Sequence, residues 1–282
     1  MSIRMIQERL RDYHCRSQTE EYQALREITQ EIILAGLGRS DFFTRALFQG
    51  GTALRIFYGL NRFSEDLDFI LHRVDTSFHL SPYLDRIRAE CLAFGYQMEI
   101  QNRPCAGVIE KAILKDDSLV SELQLRYLGK QGKIASLRIK LEVDTHPPAP
   151  SVAETRYLDF PFPSMVAVQD RPTLFAGKLH ALLCREWTKG RDWYDFIWYA
   201  ARQTPVNHPF LSAALDQKGP WQAQGFRTDD DWCRTQLTQK IETLDWIHIR
   251  EDLRPYIRET EQASLSLWTR DFFLDRLSRL FP

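Results

Sequence analysis

Two short runs constrain this chain more than anything else in it: Phe48-Gln49-Gly50-Gly51-Thr52-Ala53-Leu54-Arg55, then Phe63-Ser64-Glu65-Asp66-Leu67-Asp68-Phe69. The first is a short apolar segment entering a glycine turn that opens a helix, because Ala53, Leu54, Phe57 and Tyr58 keep helical spacing up to Gly59. The second predicts a strand from Asp66 to Leu71, with Leu67, Phe69 and Leu71 alternating against Asp66 and Asp68. Side chains at i and i+2 of a strand share a face, so the two carboxylates point together while the apolar residues point into the core. Such a pair needs solvent, a shared proton or a cation, and Mg²⁺ takes one or two carboxylates together with substrate phosphates. Glycines admit close backbone approach, and the free N–H groups of a helix start attract phosphate oxygens. Apart, each run is an ordinary turn or an exposed strand end; in this order and at this range they describe a holder for a metal triphosphate.

Around this pair the chain reads as alternating elements. Ser17-Gln18-Thr19-Glu20 has the form of a capping box, and Tyr22, Leu25, Ile28, Ile32 and Leu34 follow at helical spacing to Gly36. Pro82 to Gly95 predicts a second helix. Leu123, Leu125 and Tyr127, then Leu137, Ile139, Leu141 and Val143, predict two strands of a hairpin with a basic tip at Gly129-Lys130-Gln131-Gly132-Lys133. Pro147-Pro148-Ala149-Pro150 breaks the pattern and sets the expected boundary between residues 1–150 and 151–282. Beyond it, helices are expected over Thr173 to Trp187, Asp192 to Ala201, Asp231 to Leu244 and Ser266 to Leu280.

A third acid comes from Lys140-Leu141-Glu142-Val143-Asp144, where Lys140, Glu142 and Asp144 share the face opposite Leu141 and Val143. Either acid could complete a two-metal clamp or act as base, and either could lie on a merely solvated face. Arg126, Lys130, Lys133, Arg138 and Lys140 make a basic stretch without an acid, leading toward these carboxylates. Lys178 sits among Phe175, Leu179 and Leu182, either snorkelling or aimed at a triphosphate. Asp192, opening the next helix, could cap it, with Asp195 in support, or do chemistry.

Composition removes other classes. Lys plus Arg is 37 against Asp plus Glu 38, a formal net charge of -1, so any polyanion site must be a local patch. Cys15, Cys91, Cys105, Cys184 and Cys233 show no metal-ligand spacing and read as reduced thiols. The seven histidines show no ligand pairing, and no Gly-x-Ser-x-Gly elbow is present. With neither a signal-peptide apolar core nor a stretch of about 20 apolar residues, a cytoplasmic, membrane-free protein is expected.

The Gly50-Gly51-Thr52-Ala53-Leu54-Arg55 and Arg62-Phe63-Ser64-Glu65-Asp66-Leu67-Asp68-Phe69 motifs, followed by Lys178-Leu179-His180-Ala181 and Arg191-Asp192-Trp193-Tyr194-Asp195, resemble the nucleotidyl transferase AbiEii/AbiGii toxin family of the polymerase-beta-like superfamily. The resemblance spans roughly Phe48 to Ala201. It implies an α+β fold: a nucleotidyltransferase-like mixed sheet core with flanking helices, and a mainly helical C-terminal half that contributes Lys178 and Asp192. It also implies a Mg²⁺-dependent toxin that moves a nucleotide from an NTP to an RNA such as tRNA, with a cognate antitoxin. By position, Asp66, Asp68, Lys178 and Asp192 are then the catalytic set. Gly50, Gly51, Thr52, Ser64, Arg55 and Lys178 would bind nucleotide, and Asp66 and Asp68, with Glu142 or Asp144, would hold metal. The alternatives are the same chemistry on a small molecule or protein, and a non-catalytic NTP-binding module.

Overall fold

The computed structural model describes residues 2–102, 108–116, 118, 123, 125, 127, 136–148 and 150–282. Its contacts divide the chain into two compact units. The first holds Met1–Gly59, Phe63–Pro147 and Ala153–Val168; the second holds Leu60–Arg62, Pro148–Val152 and Gln169–Pro282. The proline break is therefore not a single cut, since a further stretch of chain returns to the first unit after Pro150.

The first unit is built on a seven-stranded mixed sheet: β1 (Ala46–Gln49), β2 (Leu67–Leu71), β3 (Glu99–Asn102), β4 (Ile109–Asp116), β5 (Leu137–Asp144), β6 (Ala153–Leu158) and β7 (Ser164–Gln169), in the order β3-β4-β5-β2-β1-β7-β6. β2 runs antiparallel to β1 and parallel to β5, while β1 runs parallel to β7. Helices α1 (Ser2–Asp12), α2 (Gln18–Gly38), α3 (Phe42–Arg45), α4 (Gly50–Tyr58) and α5 (Ser81–Ala93) complete the unit. The cap forms as read on one side, the Ser17 hydroxyl accepting from the Glu20 N–H, while the Glu20 carboxylate reaches one residue further back and accepts from the Arg16 N–H.

Register shows why one face of the sheet is core. Phe48 lies opposite Phe69, Phe69 opposite Val143 and Phe48 opposite Val168, and all four are at most 1% exposed. They join Ile28 and Ile32 of α2 and Ile87 of α5 in one apolar cluster. Phe69 meets the Phe42 ring edge-on at 4.9 Å. Burying such a ring contributes about 3 kcal/mol, so this face fixes which way every alternating residue of β2 points.

The predicted hairpin is corrected. Its second strand is β5, but the antiparallel partner is Ile109–Asp116. Leu123, Leu125 and Tyr127 lie outside any strand, and the expected tip at 129–133 falls outside the described residues, as do Arg126 and Cys105. Ala112 and Leu114 of β4 fill the core face between Leu141 and Ile139, a long-range packing that outweighs the more regular apolar spacing downstream.

In the second unit, α6 (Arg171–Cys184), α7 (Gly190–Ala201), α8 (His208–Gln217), α9 (Asp230–Glu242), α10 (Trp246–Leu253) and α11 (Arg270–Leu280) pack around aromatic rings. Trp193 lies 5.6 Å from Trp246 and 5.5 Å from Phe273. The last helix starts at Arg270 rather than Ser266, because Thr269 caps it and Glu259–Leu267 forms a 3₁₀ segment instead. Gly190, the first residue of α7, has no room for a side chain, since a Cβ there would run into the Ile249 carbonyl. The four described cysteines are free thiols, Cys91 and Cys233 buried. No helix among the described residues is long and apolar enough to cross a membrane.

One buried acid of the first unit makes stability depend on pH. Glu31 of α2 sits 2.7 Å from the Arg9 guanidinium of α1, and burial pushes its carboxyl up to about 7 despite that partner. A raised folded-state value means that its contribution is complete below the unfolded value of about 4.5 and is lost as pH rises through 7. Glu31→Gln is thus expected to gain on the parent protein between pH 5 and pH 8 in urea denaturation; parallel stability curves would contradict this.

Candidate functional site

The polar face of the sheet carries the first cluster. Gln49 lies opposite Asp68, Asp68 opposite Glu142 and Glu142 opposite Lys111, so one row of polar side chains crosses β1, β2, β5 and β4. Asp66, one residue ahead of β2, is two residues from Asp68, and both are half-buried. Register also separates the two acids of β5. Glu142 is level with Asp68, whereas Asp144 is level with the buried Ile70, further along the strand.

Gly50 abuts this row. Its φ is +78°, in the left-handed region, and a Cβ built on it would stand 2.9 Å from Asp68 Oδ2. The backbone at the start of α4 therefore approaches the carboxylate closely only because no side chain intervenes. Gly50→Ala is expected to abolish activity and to destabilise the protein by roughly 1–3 kcal/mol, through both the positive φ and the clash. An Ala variant with parental turnover and melting temperature would refute that close approach.

Other expected nucleotide ligands are turned inward. The Thr52 hydroxyl, 1% exposed, donates to the Asp66 carbonyl. Arg55 reaches back to Glu27 of α2 at 2.8 Å and lies over the Phe63 ring. Gly51 is half-buried, and Ser64 lies at the limit of burial at 9%. Glu142 is bound by both Lys111 and Lys140 at 2.8 Å. Burial opposes its charge, but the hydrogen bonds from the two lysines prevail and hold its carboxyl below the usual range.

Would these residues suit a divalent metal? Among the described residues no three His, Cys, Asp or Glu side chains converge on a metal-holding point. Two acids on one strand end, beside a backbone stripped of its Cβ, nevertheless match a Mg²⁺ that takes its other ligands from phosphate and water. The residues fit the ion.

The second cluster lies within the second unit. Lys178 of α6 donates to Asp192 Oδ1 and Asp195 Oδ2, each at 2.7 Å. Arg62 grips both oxygens of Asp195 with a two-pronged pair at 2.6 and 2.7 Å, and Arg185 binds the second oxygen of Asp192. Asp195 is fully buried, and Arg62 and Asp192 nearly so. Burial works against the Lys178 charge, yet the two carboxylates raise its pKa above the ordinary lysine value. Burial likewise opposes ionised Asp192, and Lys178 and Arg185 hold its carboxyl below the usual range.

Lys178 is thus neither snorkelling nor free, and Asp192 is not a cap: α7 begins at Gly190, with Lys189 in the capping position. Two of the three ammonium hydrogens are taken, leaving one. Arg62, Lys178 and Arg185 thus bind two carboxylates between them. Sequence reading gave Arg62 and Arg185 no role in the site and Asp195 only a supporting one. The signal was a Lys and an Arg on one stripe of a helix facing two acids at i and i+3 of the next.

A family model for the nucleotidyl transferase AbiEii toxin of type IV toxin–antitoxin systems matches residues 32–276. The chain belongs to this family. It is a nucleotidyltransferase, and membership brings with it a nucleoside triphosphate substrate and a cognate antitoxin. Solved structures agree on the fold. MenT4, a nucleotidyltransferase toxin from Mycobacterium tuberculosis, aligns with TM-score 0.59 at 17% identity over 99% of this chain and 89% of that one. A candidate nucleotidyltransferase from H. pylori aligns with TM-score 0.51 at 18% identity over 90% of this chain and 96% of that one. No protein with a curated description matches the chain.

Proposed function

We propose that this AbiEii-family protein is a Mg²⁺-dependent toxin that transfers a nucleotide from an NTP to an RNA acceptor such as a tRNA end, in the cytoplasm. The observation that carries the reading is the Gly50 backbone set against Asp68, which lies beside Glu142 and two residues after Asp66. Bound between Asp66 and Asp68, Mg²⁺ would neutralise triphosphate charge and favour ionisation of the attacking hydroxyl. The acceptor oxygen attacks the α-phosphorus, the α–β phosphoanhydride bond breaks, pyrophosphate leaves and the hydroxyl proton passes to solvent. Asp66 and Asp68 would hold the ion against the reacting phosphate, and the Gly50-Gly51 turn and Ser64 receive the others. Glu142 stays ionised between two lysines and sets the charge of the row. Within the second unit, Asp192 and Asp195 hold Lys178 as a charged group.

RNA is favoured over a small acceptor by the strands beside the row. Lys115 lies opposite Arg138, and the face they share continues through Lys140 and Lys111 to Glu142. A polyanion could follow this basic track, whereas a small molecule would gain little from it. The test is to offer purified protein, Mg²⁺ and each α-labelled NTP to total RNA and to cell protein. Label on RNA supports the reading; label on protein or a small molecule moves it to that acceptor. Binding alone, without transfer, leaves a nucleotide-binding module. Changing Lys115 and Arg138 together to Ala should reduce the slope of log affinity against log salt by about one to two units without weakening NTP binding.

A further inference from the structure

Three consecutive carbonyl oxygens in the loop entering β2 are each held by a buried side chain. Gln30 of α2, 1% exposed, donates its Nε2 to the Ser64 carbonyl at 3.3 Å and to the Glu65 carbonyl at 2.9 Å. Thr52 of α4 holds the next one, on Asp66. One helical turn before Gln30, Arg26 grips the Glu65 carboxylate at 2.8 Å. A carbonyl can only accept, so the carboxamide must present its nitrogen to this loop. The other end of Gln30 shows what that orientation costs, since its buried Oε1 has no hydrogen-bond partner among the described residues. A side chain kept for packing alone would do better as a methionine or leucine, without a stranded acceptor. Gln30 also lies ahead of the segment that matches the family.

We propose that Gln30 is a positioning residue for nucleotidyl transfer, clamping the Ser64–Glu65 backbone so that Asp66 and Asp68 are already aligned when metal and triphosphate arrive. The inference rests on the function proposed above. Its physical basis is pre-organisation: a carboxylate on a loop free to move must be ordered at each turnover, whereas one on a clamped backbone is not. Substrate never touches Gln30, so its effect should fall on metal use and turnover more than on nucleotide affinity.

Gln30→Met keeps the length of the side chain and removes both donors; Gln30→Glu keeps length and polarity and serves if the first variant does not fold. Amide hydrogen exchange is measured first, on protein free of metal and nucleotide. Exchange at Glu65, Asp66 and Leu67 is expected to rise about tenfold or more while amides of β1 and β5 keep the parental rate. In transfer assays kcat should fall roughly 10- to 100-fold, with KM for NTP changed by less than about threefold and the Mg²⁺ requirement shifted upward. Parental exchange at residues 65–67, or parental kcat and Mg²⁺ dependence, overturns the proposal; a lower melting temperature with unchanged exchange there does so too, assigning Gln30 to packing. If the parent protein transfers nucleotide to no acceptor, the functional reading fails instead. The exchange measurement, which requires no turnover, tells the two failures apart.

Discussion

Asp66→Asn is expected to reduce nucleotide transfer by about a thousandfold or more while leaving the melting temperature within a few degrees of the parent. The size follows from what the carboxylate does: losing one of two charged ligands removes several kcal/mol of stabilisation at the reacting phosphate, and about 1.4 kcal/mol is a factor of ten. The small effect on stability follows from place. Asp66 is half-buried just outside β2, and the neighbours that pack the strand, Leu67 and Phe69, point the other way. Its backbone carbonyl, held by Thr52, is untouched by the substitution. Asp68→Asn should lose activity similarly. Transfer at the parental rate by either variant, measured with labelled NTP, would take the site off this face of the sheet.

That face was legible because its signals are local. A period of two places Asp66 with Asp68 and Leu67 with Phe69 whatever the neighbouring strands are, and a Gly-Gly pair ahead of an apolar helical run needs no tertiary information to read. What depends on pairing was not legible. Glu142 and Asp144 share a face by the same period, so only the register of β5 on β2 separates them, setting Glu142 beside Asp68 and Asp144 beside Ile70. β4 escaped notice because its outward positions mix Ile109 and Ile113 with Lys111 and Lys115, and its inward ones include the buried Asp116. Two further strands, β6 and β7, follow the proline break in a region expected to be mainly helical, and Val166 and Val168 of β7 are core residues of the first unit. Arg62 pairs with a residue 133 positions away, a distance over which no periodicity reports.

The ion pairs of the second unit change what Lys178 and its neighbours should do when removed. Considered alone in an apolar helix, Lys178 would look replaceable by Met at little loss of stability. With Asp192 and Asp195 both bound to it at 2.7 Å, Lys178→Met leaves two buried carboxylates short of a partner, and a stability loss is expected along with the loss of activity. The larger loss belongs to Asp195. Its fully buried carboxylate joins Arg62, 3% exposed, to Lys178, 12% exposed, and Asp195→Ala would take a carboxylate from both cations where water cannot replace the missing charge. Removing one partner of a buried pair costs about 3–5 kcal/mol, because the remaining charge keeps its desolvation penalty and loses its compensation. The double variant Arg62→Met with Asp195→Ala should recover part of that loss, since it removes a stranded charge together with its former partner. Urea denaturation of the two single variants and the double variant closes the cycle. A coupling energy near zero would mean that Arg62 and Asp195 do not depend on each other, and the cluster would then lose its claim to hold Lys178 in place.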